Sequence, residues 1–206
     1  MLMTRKEREM LQRKMDIVNA ARELFLSKEY EKVTMEEIAK KAEFTRRTLY
    51  SYFKNKLDLL MLVVLYEFDK SEPAYRTAID NANSSSEKLM AYASVYFNFF
   101  KQTPSYYRLM QIYDVAEHGE KEVLSPAVRY EMNNSDFSLE KTARDIIETG
   151  INDGTFDSEI DIDLATNFFL KSLFGIVHQY ILHPRFPDSH FYMEVKYLMR
   201  GLGCRT

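Results

Sequence analysis

Residues that break helices are scarce in this chain, and this scarcity constrains its fold more than any other feature of the sequence. Glycine occurs 6 times and proline 5 times in 206 residues. The long stretches between them carry apolar residues at the three- and four-residue spacing of amphipathic helices. The sequence therefore predicts an all-α fold. We expect an N-terminal domain, residues 1–60, joined to a larger helical domain, residues 61–206.

The charge of the chain is distributed unevenly between these two parts. Residues 1–60 contain 14 lysine and arginine residues against 10 acidic ones, whereas residues 61–206 contain 14 against 21, for a net charge of −3. Local balances of this size also arise by chance, so charge alone leaves the partners open. The pattern nevertheless suits a protein with a small basic domain and a larger acidic domain that bind different partners, of which nucleic acid would bind the basic one.

No segment has the features of an export signal or a membrane span. Residues 1–14 are charged throughout and lack the apolar core of a signal peptide. The most apolar stretch, residues 167–182, is interrupted by Lys171 and His178, and its uncharged part is too short to span a bilayer. Cys204 is the single cysteine, so no internal disulfide can form. We therefore expect a cytoplasmic protein that does not contact membranes.

The residue types that carry catalysis do not form a recognisable motif. The four histidines are not spaced as metal ligands, and neither a phosphate-binding loop nor a nucleotide-binding glycine pattern is present. Cys204 has no catalytic partner that the sequence can assign. We therefore expect no enzymatic activity, no metal and no cofactor, and turnover of a candidate substrate would overturn this expectation.

The N-terminal domain contains three helix patterns in close succession. The second begins at a capping box, Thr34 with Glu37, in which a hydroxyl and a carboxylate satisfy the amides at a helix start. Thr45 can cap the third, whose Leu49 and Phe53 lie four residues apart and can both face inward. The first has the apolar stripe of a helix that packs one face on a core, namely Ile17, Ala20, Ala21, Leu24 and Phe25.

The third of these helices turns hydrogen-bond donors outward. Two short helices joined by a tight turn, with donors on the exposed face of the second, describe a helix-turn-helix that reads the major groove. An arginine can bridge the O6 and N7 atoms of guanine, so two arginines are the candidate base readers; a solvated or phosphate-contacting arginine is the alternative. The outward residues are Arg46, Arg47, Thr48, Tyr50, Ser51 and Tyr52.

A longer series of residues at fixed spacing runs from Ile17 to Leu60. It comprises Ala20-Ala21, Leu24-Phe25, Val33-Thr34-Met35, Ile38-Ala39, Ala42, Thr45, Thr48-Leu49-Tyr50, Tyr52-Phe53 and Asn55-Lys56. This series resembles the DNA-binding domain of the TetR family of transcriptional regulators. The resemblance implies that six residues contact DNA, namely Thr34, Thr45, Thr48, Tyr50, Tyr52 and Lys56. Among these it implies phosphate contacts for Tyr50 and Lys56. Partly buried positions are the alternative for Tyr50 and Tyr52.

The chain departs from the pattern of that family in two places. Glu29 stands in a turn where the family usually has glycine, so we expect either a strained positive φ or a different turn there. Arg46 and Arg47 precede Thr48, where the family often has a small residue or glycine. Both departures concern the local geometry and the choice of operator, not the class of protein.

The second half of the chain contains two strong helix patterns, at about residues 139–152 and 163–183. The later one is apolar on most sides, and a domain of this size can cover only part of it, so we expect a subunit interface there. The resemblance implies a homodimer in which the last long helices pair across a two-fold axis. Such a dimer would present two recognition helices to the half-sites of a palindromic operator on double-stranded DNA.

The middle of the chain is rich in aromatic and methionine side chains, which suit a pocket for a flat or greasy small molecule. Filling the core of a helical bundle is the alternative role for each of them. The acidic body hints at a cationic ligand. The candidate ligand-binding residues are Tyr96, Phe97, Phe100, Tyr107, Met110, Tyr113, Phe169, Phe174 and His178.

These observations predict a homodimeric, ligand-responsive DNA-binding regulator. By resemblance to the family, it would be a repressor that a small hydrophobic or aromatic effector of unknown identity releases from its operator. The alternative is a helix-turn-helix protein without small-molecule control, either architectural or regulated by another protein. The sequence does not separate the two hypotheses, whereas a thermal shift against a compound library would.

Overall fold

The computed structural model describes residues 3–118, 123–135, 137–183 and 185–204, and for residues 113–118 it describes the backbone alone. The described residues form helices and no strand, which confirms the all-α prediction. A short 3-10 helix at Tyr30–Lys32 separates the first two α-helices. The α-helices are α1 (Arg5–Ser27), α2 (Met35–Lys41), α3 (Arg46–Tyr52), α4 (Lys56–Asp80), α5 (Ser85–Gln102), α6 (Pro104–His118), α7 (Pro126–Asn133), α8 (Leu139–Asn152), α9 (Ile162–Leu182) and α10 (Asp188–Gly201).

Side-chain caps fix where many of these helices begin. Thr34 accepts a hydrogen bond from the backbone amide of Glu37, and the Glu37 carboxylate accepts one from the amide of Thr34, so the predicted capping box is present. Thr45 caps α3 and Ser125 caps α7 in the same way, through their hydroxyls. Each such cap is worth about 1 kcal/mol because it satisfies amides that the helix itself leaves without an acceptor.

The chain forms two compact units, and α4 runs from one into the other. The first unit consists of Met1–Phe68 with Ser105–Ser135, and the second of Asp69–Pro104 with Asp136–Thr206. The first unit therefore contains α6 and α7 together with the three N-terminal helices. The division of the sequence between residues 60 and 61 remains a prediction.

The core of the first unit is built on the predicted inward faces. Ile17 and Ala21 of α1 are fully buried, as are Ile38 of α2 and Leu49 of α3, and Phe53 after α3 is 1% exposed. These side chains face inward as predicted, because the helical spacing places them on one face of each helix. Their burial fixes which side of α3 is turned outward.

The second unit has an aromatic core. Phe97 of α5 and Phe191 of α10 stack with their ring centroids 4.1 Å apart, and Tyr92 lies 5.0 Å from Tyr75 and 5.8 Å from Phe169. Helix α10 was not predicted from the sequence. The sequence nevertheless contains the apolar pattern of an amphipathic helix in this segment. The buried residues of α10 follow the helical spacing and are Phe191, Val195, Leu198 and Met199.

Candidate nucleic-acid interface

The exposed face of α3 is produced by a cap at its start and two anchors beneath it. The Thr45 hydroxyl accepts a hydrogen bond from the amide of Thr48 at 3.1 Å and lies 2.9 Å from the Thr48 hydroxyl. Leu49 and Phe53 are buried. With the helix start and the inward face fixed, the remaining side chains of α3 face away from the core, and Arg46, Arg47, Tyr50 and Ser51 are exposed.

The turn between α2 and α3 depends on a residue in the left-handed region. Glu43 has φ +60, and the amide of Phe44 donates to the carbonyl of Ala39 at 2.9 Å while that of Glu43 donates to Lys40 at 3.2 Å. This pair of bonds is the Schellman ending of a helix, which normally uses glycine at the left-handed position. The turn that orients α3 is therefore made by a glutamate in a conformation that costs about 1–2 kcal/mol for an L-residue.

The expected strain at Glu29 is absent, because Glu29 has φ −63 in an ordinary extended conformation. The chain turns at this point through the short 3-10 helix Tyr30–Lys32 instead, so the second of the two expected outcomes, a different turn, is the one observed. The strained glutamate is Glu43, which the sequence analysis did not single out.

The two arginines at the start of α3 differ in what they contact. The guanidinium carbon of Arg46 lies 5.5 Å from the centre of the Tyr50 ring, a cation–π distance. Arg47 is exposed and makes no hydrogen bond or ion pair within the described part of the chain. Tyr50 is 43% exposed and is not a core residue, whereas Tyr52 is half-buried with its ring 6.2 Å from that of Phe53. Both arginines thus keep their donors open to an outside acceptor, and Arg47 is the one that is not held against a neighbouring ring.

Lys56, at the start of α4, is held by the turn that precedes α2. Its ammonium donates to the carbonyl oxygens of Tyr30 at 2.6 Å and Val33 at 2.9 Å, and it lies 4.1 Å from the centre of the Tyr30 ring. Hydrogen bonds from a charged donor are stronger than neutral ones. Lys56 therefore positions the chain just before Thr34, for which the resemblance also implied a DNA contact.

The start of α4 is also fixed by a buried carboxylate that sequence reasoning missed. Asp58 is fully buried, and its oxygens accept hydrogen bonds from the backbone amides of Lys54 at 2.9 Å and Ser125 at 2.8 Å. Asn55 accepts from the amide of Asp58 and donates to the carbonyl of Val123. These bonds join the turn after α3 to the segment that leads into α7. The signal in the sequence was one acidic residue among the leucines at 57, 59 and 60.

A second polar cluster joins α1, α4 and α6 within the first unit. The Nε atom of Arg22 donates to Glu67 at 2.9 Å and to the Tyr106 hydroxyl at 2.6 Å. Burial, with the Glu67 charge beside it, raises the pKa of Tyr106 to about 12, so this hydroxyl stays protonated at neutral pH. Glu131 of α7 likewise accepts from Tyr66 at 2.5 Å and pairs with Lys14. Through these contacts α6 and α7 are attached to the helices that carry the recognition helix.

The residues predicted to bind a ligand are mostly core residues. Tyr96, Phe97, Phe100, Tyr107 and Phe169 are buried, while Met110, Phe174 and His178 are half-buried. The side chain of Tyr113 lies outside the described residues. A separate cavity of about 420 Å³ in the second unit is lined by residues of α4 and α8, with Phe137 and Ser138, and by none of these nine. Its wall includes Tyr75, whose buried hydroxyl has no hydrogen-bond partner within the described residues.

Large apolar side chains are exposed on the last two helices of the second unit. On α9, Leu164 is 70%, Phe168 51% and Leu182 55% exposed, and on α10 Met193 is 50% and Tyr197 58% exposed. The apolar side chains of α8 are instead buried or half-buried, and its exposed positions are polar or charged. Within the described residues no helix is long and apolar enough to cross a membrane, and no group of three potential metal ligands occurs.

A short helix with outward donors, set by a tight turn on a three-helix core, defines a helix-turn-helix DNA-binding domain. Residues 17–62 match the family model described as bacterial regulatory proteins, tetR family. This match confirms the resemblance seen in the sequence, because it identifies residues 17–62 as a DNA-binding domain of the TetR family.

Two curated relatives from Mycolicibacterium smegmatis agree with this assignment. The chain is 28% identical over 99 residues to the transcriptional activator FasR, a match that covers 48% of this chain and 45% of FasR. It is 25% identical over 195 residues to the transcriptional repressor KstR2, which covers 94% of this chain and 91% of KstR2. Both relatives are helix-turn-helix transcriptional regulators, one an activator and the other a repressor.

Among solved structures, the chain resembles the transcriptional regulator FadR from Bacillus subtilis in complex with stearoyl-CoA. The two superpose with a TM-score of 0.64 at 20% identity, and the match covers 92% of this chain and 97% of FadR. At this level of identity the likeness concerns the fold alone, and it extends beyond the helix-turn-helix through both units.

Proposed function

We propose that the protein is a homodimeric repressor that binds a palindromic operator and leaves it when a small apolar or aromatic molecule binds. The observation that carries this proposal is the outward face of α3, on which Arg47 is exposed and makes no hydrogen bond or ion pair within the described residues. An exposed guanidinium on a helix that the major groove admits can form the two-bond contact to guanine.

The other residues of the interface divide by the contact they would make. In the proposal, Arg47 reads a base, while Arg46, stacked on Tyr50, supports that tyrosine on a phosphate. Phosphate contacts set the position of the protein on DNA, and base contacts set its sequence preference. In the proposal, the remaining residues at the edge of this surface contact the sugar-phosphate backbone of the DNA. They are Thr34, Thr45, Thr48, Ser51, Tyr52 and Lys56.

A homodimer is supported by the exposed apolar side chains of α9. Large contiguous apolar surfaces on a folded chain commonly mark an interface. The sequence placed the interface on the helices at residues 139–152 and 163–183, but α8 exposes polar and charged residues. We therefore place the proposed interface on α9 and α10 and leave α8 out of it, because Met193 and Tyr197 of α10 are exposed. A two-fold axis through α9 and α10 would present two copies of α3 to two half-sites.

Release by a ligand is supported by the way α6 and α7 attach to the DNA-binding helices. Tyr106 bonds to Arg22 of α1, and the amide of Ser125 bonds to Asp58 near the start of α4. A displacement of α6 or α7 would therefore be transmitted to the base of the helix-turn-helix. A ligand achieves this only if it binds one conformation better than the other. The similarity to FadR, solved with stearoyl-CoA, makes a long-chain acyl-CoA the first probe.

Selection of bound sequences from a random DNA pool by the purified chain tests the DNA part of the proposal. The expected product is an inverted repeat with half-sites about one helical turn apart. The Arg47→Ala variant should enrich a repeat in which one position per half-site is relaxed. Failure of the parental chain to enrich any sequence, or enrichment of a single half-site without symmetry, would contradict the proposal.

The ligand part is tested with the operator that this selection yields. Stearoyl-CoA, shorter acyl-CoAs and a library of aromatic compounds are added to the complex, and release of labelled DNA and the melting temperature of the protein are measured. The expected result is that one compound raises the melting temperature and releases the operator at the same concentration. If no compound does either, the alternative of a helix-turn-helix protein without small-molecule control is favoured.

A further inference from the structure

The first helix begins well before the domain it belongs to. Residues 5–13 of α1 are all exposed, and Ile17 is the first buried residue among those that the structure describes. The helix nevertheless has a complete start, because Thr4 accepts from the amide of Glu7 at 3.3 Å and the Glu7 carboxylate accepts from the amide of Thr4 at 2.7 Å. A helical segment that buries nothing in the core gains little from its own packing, so its role has to be sought outside the core.

This N-terminal extension of α1, residues 5–13, is predominantly cationic. It contains four basic residues against Glu7 and Glu9. Arg5 pairs with Glu9 at 2.7 Å, and Arg8 donates to a backbone carbonyl at 2.7 Å. Lys6 and Arg13 make no hydrogen bond or ion pair with any described residue. They are seven residues apart, so they lie on one side of the helix, about two turns from each other.

The extension lies beside the recognition helix within the same unit. A cleft of about 770 Å³ is lined on one side by Met3, Glu7, Met10 and other residues near the start of α1, and on the other by Ser51 and Tyr52 at the end of α3. DNA that is docked on α3 would therefore run close to the extension. The phosphates of the duplex carry one negative charge per ~1.7 Å of axis, so a cationic helix at this place meets a dense row of anions.

We propose that the N-terminal extension of α1 is a second DNA-binding surface, on which Lys6 and Arg13 bind backbone phosphates next to the segment that α3 reads. This inference rests on the proposed function, since it requires that α3 docks on DNA. The partner is the phosphate backbone of duplex DNA, so the extension adds affinity and leaves the sequence preference to α3. Met10 and Leu11 are exposed on the same extension, and a protein partner would use them instead.

The test compares two charge-matched variants of the full chain. Lys6→Gln/Arg13→Gln removes the proposed contacts, and Arg108→Gln/Lys141→Gln removes one lysine and one arginine that are exposed on α6 and α8. Binding of the selected operator and of random DNA is measured by fluorescence anisotropy over a series of KCl concentrations. Each lost phosphate contact lowers the slope of log affinity against log salt by about 0.9. The expected loss is about 1.8 per bound protomer in the first variant and none in the second.

The loss should be the same on operator and on random DNA, and the helical content by circular dichroism should not change. A slope equal to that of the matched variant would overturn the second surface, although the parental chain would still bind its operator. A parental chain that binds no DNA would instead overturn the proposed function itself. A third variant, Met10→Ser/Leu11→Ser, keeps both cations and should keep the slope. If it lowers the slope as much as the first variant does, the contact is not made by the charges.

Discussion

Helices α3 and α9 each pack one face on their own unit and leave the other face open, and the two open faces have opposite chemistry. The open side of α3 presents guanidinium, phenol and hydroxyl groups, whereas that of α9 presents Leu164, Phe168 and Leu182. Donor groups lose little by staying hydrated until a polar partner replaces the water, while apolar groups gain when any apolar surface covers them. The difference indicates a polyanion as partner of α3 and a second apolar surface as partner of α9.

The two helices also differ in what holds them in place. Helix α3 has seven residues, and only Leu49 within it is buried, so that caps, the Glu43 turn and Asp58 determine its orientation. Helix α9 has 21 residues, and buried positions recur along its whole length. Packing alone can therefore hold α9, whereas α3 depends on hydrogen bonds at its two ends. Substitutions that affect each helix should differ accordingly.

The largest expected effect is on the open face of α9. Phe168→Glu places two carboxylates in the proposed dimer interface, and an unpaired buried charge costs several kcal/mol, so we expect dissociation to increase at least ~10³-fold. Sedimentation equilibrium measures the change. Thr149→Glu, which adds the same charge at an exposed position of α8, should leave the dimer intact. A Phe168→Glu protein that remains a dimer at the parental dissociation constant would remove this face from the interface.

The next effect concerns the support beneath α3. Asp58→Ala removes the buried acceptor of the Lys54 and Ser125 amides and should lower the free energy of unfolding by about 2–4 kcal/mol, because two partly buried donors lose a charged partner. Urea unfolding followed by circular dichroism measures it. Asp145→Ala, at an exposed position of α8, should change stability by less than ~0.5 kcal/mol. Equal effects of the two substitutions would mean that the Asp58 bonds contribute nothing to the stability of the chain.

Arg47 and Arg46 separate the two kinds of contact that α3 can make. Arg47→Ala should weaken operator binding by about 1–3 kcal/mol and random DNA much less, as expected when a base contact is lost. Arg46→Ala should weaken both by similar, smaller amounts, because this side chain stacks on Tyr50. Anisotropy titrations on both DNAs provide the numbers. Equal losses on operator and random DNA for Arg47→Ala would make Arg47 a backbone contact.

Lys56 combines a structural contact with a proposed phosphate contact. Lys56→Met retains most of the aliphatic chain but loses the bonds to Tyr30 and Val33, so we expect stability to fall by about 1–2 kcal/mol. Lys54→Met, at the exposed neighbouring position, is the control for stability. The salt dependence of DNA binding decides the second role. A slope lower by about one in Lys56→Met supports the phosphate contact, and an unchanged slope leaves Lys56 as a positioning residue only.

The success of sequence reasoning differed between local and long-range features. Helix patterns, the Thr34 box and the Thr45 cap depend on residues within one or two turns, and they were predicted at close to their observed positions. The bond from Asp58 to Ser125 joins residues far apart in the chain, and no local pattern marks it. Aromatic residues in the middle of the chain suited a pocket and a core equally well, and burial, which decides between these roles, is a property of the assembled fold.

The smallest expected effect tests the left-handed backbone conformation in the turn before α3, which Glu43 adopts and Glu29 does not. Glu43→Gly should raise the free energy of unfolding by about 0.5–1 kcal/mol, because glycine adopts the left-handed region without the side-chain clash and its larger freedom in the unfolded chain offsets only part of that gain. Glu29→Gly, at φ −63, should lower it by about 0.5–1 kcal/mol, since there glycine only adds freedom to the unfolded chain. Urea unfolding of both variants measures the two signs. If Glu29→Gly stabilises the chain and Glu43→Gly does not, the left-handed residue lies in the turn before α2, and α2 does not end in a Schellman motif.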